Sequence, residues 1–164
     1  NVDKAKNLGL EAIAANIYSD TLSDNIELND VGYLMALTGN SEINKFAINK
    51  FAKLFGENGA FRLITDDEIN NPENNPKEIL FSPTDDFIKL TEAVRQYPTI
   101  HEIQLTSIDH FNNLIELSKE DPFIIPIFLK LPDGDLKIIS SSTDELENIT
   151  EKYKLVYLGK RIEE

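Results

Sequence analysis

The chain has no cysteine, no tryptophan and only two histidines in 164 residues. Without cysteine there is no disulfide framework, no thiolate metal site and no cysteine nucleophile. Basic residues are also scarce: 16 Lys and Arg stand against 29 Asp and Glu, a net charge of −13. A nucleic-acid surface needs Lys and Arg to displace the counterions of the phosphates, and anionic lipid attracts the same residues. The composition therefore argues against both partners. No apolar run approaches the roughly 20 residues that span a bilayer; the longest, residues 123–131, is broken by Pro126 and Lys130. Residues 1–10 hold two lysines and an aspartate and lack the apolar stretch of a secretory signal. No GxGxxG phosphate grip and no nucleophile elbow occurs anywhere.

What is present is a 41% apolar fraction, enough for a packed core, and a lopsided distribution of charge. Residues 1–65 carry 8 acids and 6 bases, whereas residues 66–164 carry 21 acids and 10 bases. The change coincides with residues 66–77, which contain Pro72, Pro76 and four asparagines. Pro removes a backbone donor and Asn favours turns. This predicts a first domain over 1–65, a linker over 66–78 and a second module over 79–164.

The first part reads as short helices alternating with short apolar strands. A helix over 3–8 stops at Gly9, a C-terminal cap. Strands are expected at 10–17, 33–38 and 60–65, with a short helix at 23–28. The run Tyr33-Leu-Met-Ala-Leu-Thr38 has the near-continuous apolar character of a strand buried on both faces. Asn40 or Ser41 caps a helix in which Ile43, Ala47, Phe51 and Leu54 share one face and which Gly56 ends. That rhythm means βαβ units and a parallel sheet. The second part predicts a helix beginning after Asp85 or Asp86 and marked by Phe87, Leu90, Val94 and Tyr97. A strand over 100–106 follows, then a helix capped by Ser107 that stops near Asp121-Pro122. A strand over 123–131 turns at Pro132-Asp133-Gly134-Asp135 into a hairpin partner over 136–141. A last strand lies at 155–158. The fold class expected is α/β: a truncated Rossmann-like parallel sheet with helices, followed by a small α+β module with an antiparallel sheet.

Residues with catalytic chemistry are few. His101 sits in the alternating strand beside Glu102, and His110 follows Asp109 on the first turn of a helix. Neither has the i, i+4 partner of a zinc helix, and a solvated or helix-end histidine is the plainer reading of each. Asp66, Asp67 and Glu68 offer oxygen ligands for a hard cation but lack the spacing of an ion-binding loop. The pair Asp133 and Asp135 belongs first to a turn. In an open parallel sheet, ligands bind beyond the carboxyl ends of the strands. Here this singles out Asn16 and the loop Thr38, Gly39, Asn40 and Ser41. Gly39 admits a ligand to the backbone, and the helix start offers N–H groups to an anion. An ordinary, well-capped strand–helix turn is the competing description.

Residues 31–54, VGYLMALTGNSEINKFAINKFAKL, followed by Phe55-Gly56, resemble a Rossmann-like regulatory domain of ion transporters, the RCK or TrkA-N type. Such domains carry a strand of the form GYLLALT, a polar turn, and a helix of the form E-[VI]-N-x-x-A. Residues 1–10 (NVDKAKNLGL) are similar to the piece after that family's second strand. Residues 11–19 (EAIAANIYS) look like its third strand, and Leu63-Ile64-Thr65 fits the strand after the helix. Carried through Arg161, the features look most like the cytoplasmic C-terminal region of bacterial sodium/proton antiporters, with residues 128–140 matching a small β-rich tail.

The resemblance implies a non-catalytic cytoplasmic regulatory and dimerisation domain at the inner face of the inner membrane. Its partners would be the transmembrane antiporter domain of the same parent chain and a second copy. Two departures stand out. The family's opening strand, glycine-rich turn and second strand are missing, as though the chain begins in mid-domain. Ala15-Asn16 also stands where the family has Gly-Asp. For this chain the expectation is therefore no cofactor and no metal, NAD or another nucleotide belonging to the intact parent domain. Strands 10–17 and 33–38, deprived of their usual neighbours, are expected to pair with each other or to be covered by a second copy. The rival readings are a nucleotide-binding subunit of a potassium uptake system and an NAD-dependent enzyme fragment.

Overall fold

The structure is a computed structural model that describes residues 2–20, 22, 32–55, 59–71, 79–82, 85–141 and 149–163. It forms two compact units, Asn1–Gly32 and Tyr33–Glu164.

In the first unit, helix α1 (Val2–Asn7) ends as its sequence requires. Gly9 takes φ +78, Leu10 N–H reaches back to the Ala5 carbonyl and Gly9 N–H to that of Lys6. This is the paired closure that glycine permits after a helix. Residues 10–16 form no strand, contrary to expectation. Leu10 and Ile13 are 61% and 54% exposed. An apolar run becomes a strand only where a neighbour supplies a hydrogen-bond ladder, and no described strand pairs with this one. The expected direct pairing of 10–17 with 33–38 is thus overturned. The helix expected at 23–28 lies outside the described residues.

The second unit opens with a parallel sheet of order β1-β2-β3, formed by β1 (Leu34–Ala36), β2 (Ala60–Leu63) and β3 (Ile79–Leu80). Helix α2 (Ser41–Phe55) connects β1 to β2 and packs on both, so this is the βαβ unit that the periodicity predicts. Ala47 and Phe51 are its buried face. Strand β1 is shorter than predicted and is not buried on both sides. Among the described strands it has β2 on one flank only, and Leu37 just beyond it is 38% exposed.

Residues 66–78 do not open as a bare linker. Asp66–Asn70 forms helix α3, and β3 then returns to pair with β2 in parallel.

Helix α4 (Phe87–Gln96) follows, capped by the Asp86 side chain on Lys89 N–H. Next come β4 (Ile100–Gln104), α5 (Ile108–Glu120) with Ser107 as its cap, β5 (Ile124–Lys130), β6 (Leu136–Ile138) and β7 (Lys154–Gly159). Their sheet is antiparallel with order β4-β7-β5-β6. Pro126 lies inside β5, where it cannot donate to the ladder; the register against β7 shifts between Pro126 and Phe128, which accommodates it.

The two sheets meet at β3. Leu80 bridges Ser140, and Ser141 N–H donates to the Ile79 carbonyl at 2.9 Å. One core cluster accordingly contains Leu63 and Leu80 from the parallel sheet with Ile125, Ile138 and Leu158 from the antiparallel one. The second core packs Phe111 and Leu114 of α5 on Leu129, Leu155 and Tyr157. Residues on both sides of 66–78 therefore share a core.

Gly159 closes β7 at φ +124, and a Cβ there would collide with the backbone carbonyl of Phe123. Gly134, in the hairpin turn at φ +95, faces open space. Gly159→Ala is expected to lower the unfolding free energy by more than about 2 kcal/mol, against about 1 kcal/mol for Gly134→Ala, the difference being a steric clash added to the left-handed backbone penalty. Urea titration of the two variants measures it.

Candidate functional site

The crevice expected beyond the strand ends exists. It has a volume of about 290 Å³ and is lined by Thr38, Gly39, Ser41 and Asn44 from β1 and α2, by Thr65, Asp66 and Asp67 after β2, and by Asp86, Phe87 and Ile88 at the start of α4. Of the residues singled out from sequence, Thr38, Gly39 and Ser41 converge on it, and Asn40 lies between them. Asn16 belongs to the first unit, where its Oδ1 accepts the Tyr18 N–H.

The geometry of the loop comes from two asparagines. Asn40 is the N-cap of α2: its Oδ1 accepts the N–H groups of Glu42 at 3.0 Å and Ile43 at 3.1 Å. These donors are among those an anion would need at a helix start, and the protein already uses them. Asn44, only 2% exposed, ties the loop to the helix. Its Oδ1 accepts from Thr38 N–H at 3.1 Å and from the Thr38 hydroxyl at 2.7 Å, while its Nδ2 donates to the Thr38 carbonyl at 2.9 Å.

Gly39 matters for a different reason than the one expected. A Cβ at this position would lie 2.9 Å from the Phe87 ring. The close approach that glycine allows is taken by the protein's own aromatic side chain, not left open to a ligand.

The carboxylates divide by role. Glu68 faces Arg62, which is 3% exposed, and binds it through both oxygens at 2.7 and 2.8 Å. Glu68 also completes a capping box with Thr65: Thr65 N–H reaches the carboxylate, and Glu68 N–H reaches the Thr65 hydroxyl. The Arg62 hydrogen bonds, joined by those of Thr65, hold the Glu68 carboxyl down at about 2. It is therefore committed to the fold. Asp66, Asp67 and Asp86 remain on the crevice wall, leaving its mouth negative. The cation reading of Asp66, Asp67 and Glu68 loses its third ligand to Arg62, and no cluster of three or more groups placed to hold a metal ion occurs among the described residues.

The histidines lie elsewhere. His101 stacks on Tyr157 at 5.1 Å between centroids, with Nε2 3.2 Å from the Gly159 carbonyl. Nδ1 of His110 accepts the Thr106 N–H at 3.3 Å. Sequence reasoning missed Asn44, Phe87 and the capping role of Glu68. The signals were an asparagine between the core-facing Ile43 and Ala47, and Thr65-x-x-Glu68, the spacing of a capping box.

Compared with known proteins, the chain matches no family model, no curated protein and no solved structure.

The Arg62–Glu68 pair sets a pH dependence. Folded Glu68 titrates near 2 and its unfolded reference is 4.5. Its contribution is therefore complete above pH 4.5 and is lost as pH falls toward 2, about 2–3 kcal/mol in all. Arg62→Ala leaves this carboxylate without its cation and is expected to cost about 3–5 kcal/mol at pH 7. The variant should also lose most of the acid-dependent slope in that window. Urea titrations of both proteins across the acid range read both effects.

Proposed function

We propose that this chain is a non-catalytic cytoplasmic regulatory domain of a membrane cation/proton antiporter of the sodium/proton kind, one that dimerises and modulates monovalent cation transport. The observation that carries the reading is the β1–loop–α2–β2 unit. It falls on the residues that resemble the RCK or TrkA-N type, and Asn44, the asparagine of the E-[VI]-N-x-x-A pattern, pins the loop.

The chemistry of the crevice favours regulation over catalysis. It gathers carboxylates, hydroxyls and an aromatic ring, without the paired base and nucleophile that acyl or phosphoryl transfer needs. It also suits a nucleotide poorly, because the helix donors are capped and the wall is acidic. The membrane-spanning part of the proposed protein would be the antiporter domain of the parent chain. No described helix here is long and apolar enough to cross a membrane.

A regulatory domain acts only by interacting differently with two states of its transporter. In membrane vesicles, the parent antiporter lacking residues 1–164 is expected to keep sodium-driven proton exchange while its dependence on pH or sodium concentration shifts. Exchange with unchanged pH and sodium dependence would refute a regulatory role, and complete loss in a correctly inserted protein would refute a non-catalytic one.

A further inference from the structure

Among the described strands, the antiparallel sheet ends on one side at β4. Strand β4 pairs with β7 in an unbroken register from Ile100 opposite Leu158 to Gln104 opposite Lys154. The flanking bonds run from Gly159 N–H to the Thr99 carbonyl and from Leu105 N–H to the Tyr153 carbonyl. The odd-numbered residues thus give their backbone groups to β7. Alternation along an antiparallel strand then turns the N–H and C=O of Ile100, Glu102 and Gln104 to the open side.

Proteins that stay monomeric blunt such edges with short strands, charged side chains, proline or bulges, and the one carboxylate on β4, Glu102, is paired with lysines. Strand β1, the outer strand of the parallel sheet, is three residues long. Strand β4 has five residues, no proline and no bulge.

Charge would oppose self-association of a chain at −13, but not at this place. Glu102 makes ion pairs with Lys154 on the neighbouring β7 and with Lys130 on β5 beyond it, so two ammonium groups face one carboxylate. Ile100, 61% exposed, lies on the same face.

We propose that β4 pairs antiparallel with β4 of a second copy, about a two-fold axis through Glu102, so that two four-stranded sheets become one continuous sheet. Ile100 then stands opposite Gln104 of the second copy, and each facing pair exchanges two backbone hydrogen bonds. The two Glu102 carboxylates meet near the axis with lysines on both sides, which offsets their repulsion. The remaining acidic surface still repels at long range, so added salt strengthens the dimer. The inference gives the dimerisation in the proposed function a surface and to that extent rests on that reading.

Because the chain has no cysteine, a single introduced thiol reports one position. Glu102→Cys, treated with a short bis-maleimide, is expected to yield covalent dimers. Lys137→Cys on β6 and Leu37→Cys beside β1 should yield few. In sedimentation velocity the unmodified chain should shift toward dimer with concentration and with salt. Glu102→Pro, which deletes an outward N–H together with the carboxylate, should stay monomeric, and Ile100→Lys, at a site already exposed, should weaken the dimer at least tenfold. Cross-linking no greater at 102 than at 137, preferred linking at 37, or an unmodified chain that is monomeric at every soluble concentration would each overturn the proposal. These assays read the edge on the chain itself, whereas vesicle transport reads regulation, so either claim can fail alone.

Discussion

The side-chain amide of Asn44 takes up the N–H, the hydroxyl and the carbonyl of Thr38, and with them it fixes where β1 stops and α2 starts. Asn44 is buried, and a buried side-chain amide left unpaired would be costly. Asn44 satisfies the groups of Thr38 from within the helix. With the loop held, Gly39 presents a bare backbone to the Phe87 ring, and that contact brings the start of α4 against the loop. Crevice shape, helix position and the acidic wall at Asp66, Asp67 and Asp86 all follow from this one arrangement.

The same arrangement explains why the site looks unlike a phosphate grip despite standing at the carboxyl ends of parallel strands. A helix start binds anions when its N–H groups are free and no negative charge competes. Here Asn40 occupies two of those donors, and carboxylates line the opposite wall. A wall of this kind repels anions and attracts positively charged partners.

Much of the fold was legible because it is written in local chemistry. The apolar run before Thr38, the helical spacing of Ala47 and Phe51, the caps at Asp86 and Ser107, and the Pro-Asp-Gly-Asp turn each act over a few residues. Residues 10–17 were misread because apolar composition does not supply a hydrogen-bonded neighbour. Strand β3 is two residues long and exists because β2 and Ser140 flank it, a fact of tertiary pairing that no local pattern encodes. In the crevice, Thr38, Gly39 and Ser41 were legible from strand-end logic. Phe87 was not, because it arrives from nearly fifty residues downstream. Glu68 could have been recognised: the capping-box spacing was present, but the adjacent aspartates suggested a cation cluster instead.

The most direct test of the central claim, a crevice whose helix donors are capped and whose acidic wall disfavours nucleotides, is isothermal titration calorimetry of the chain with NAD, NADH, ATP and AMP in turn. The account predicts no saturable heat with any of them. A one-site isotherm of micromolar affinity that Ser41→Asp abolishes would contradict it.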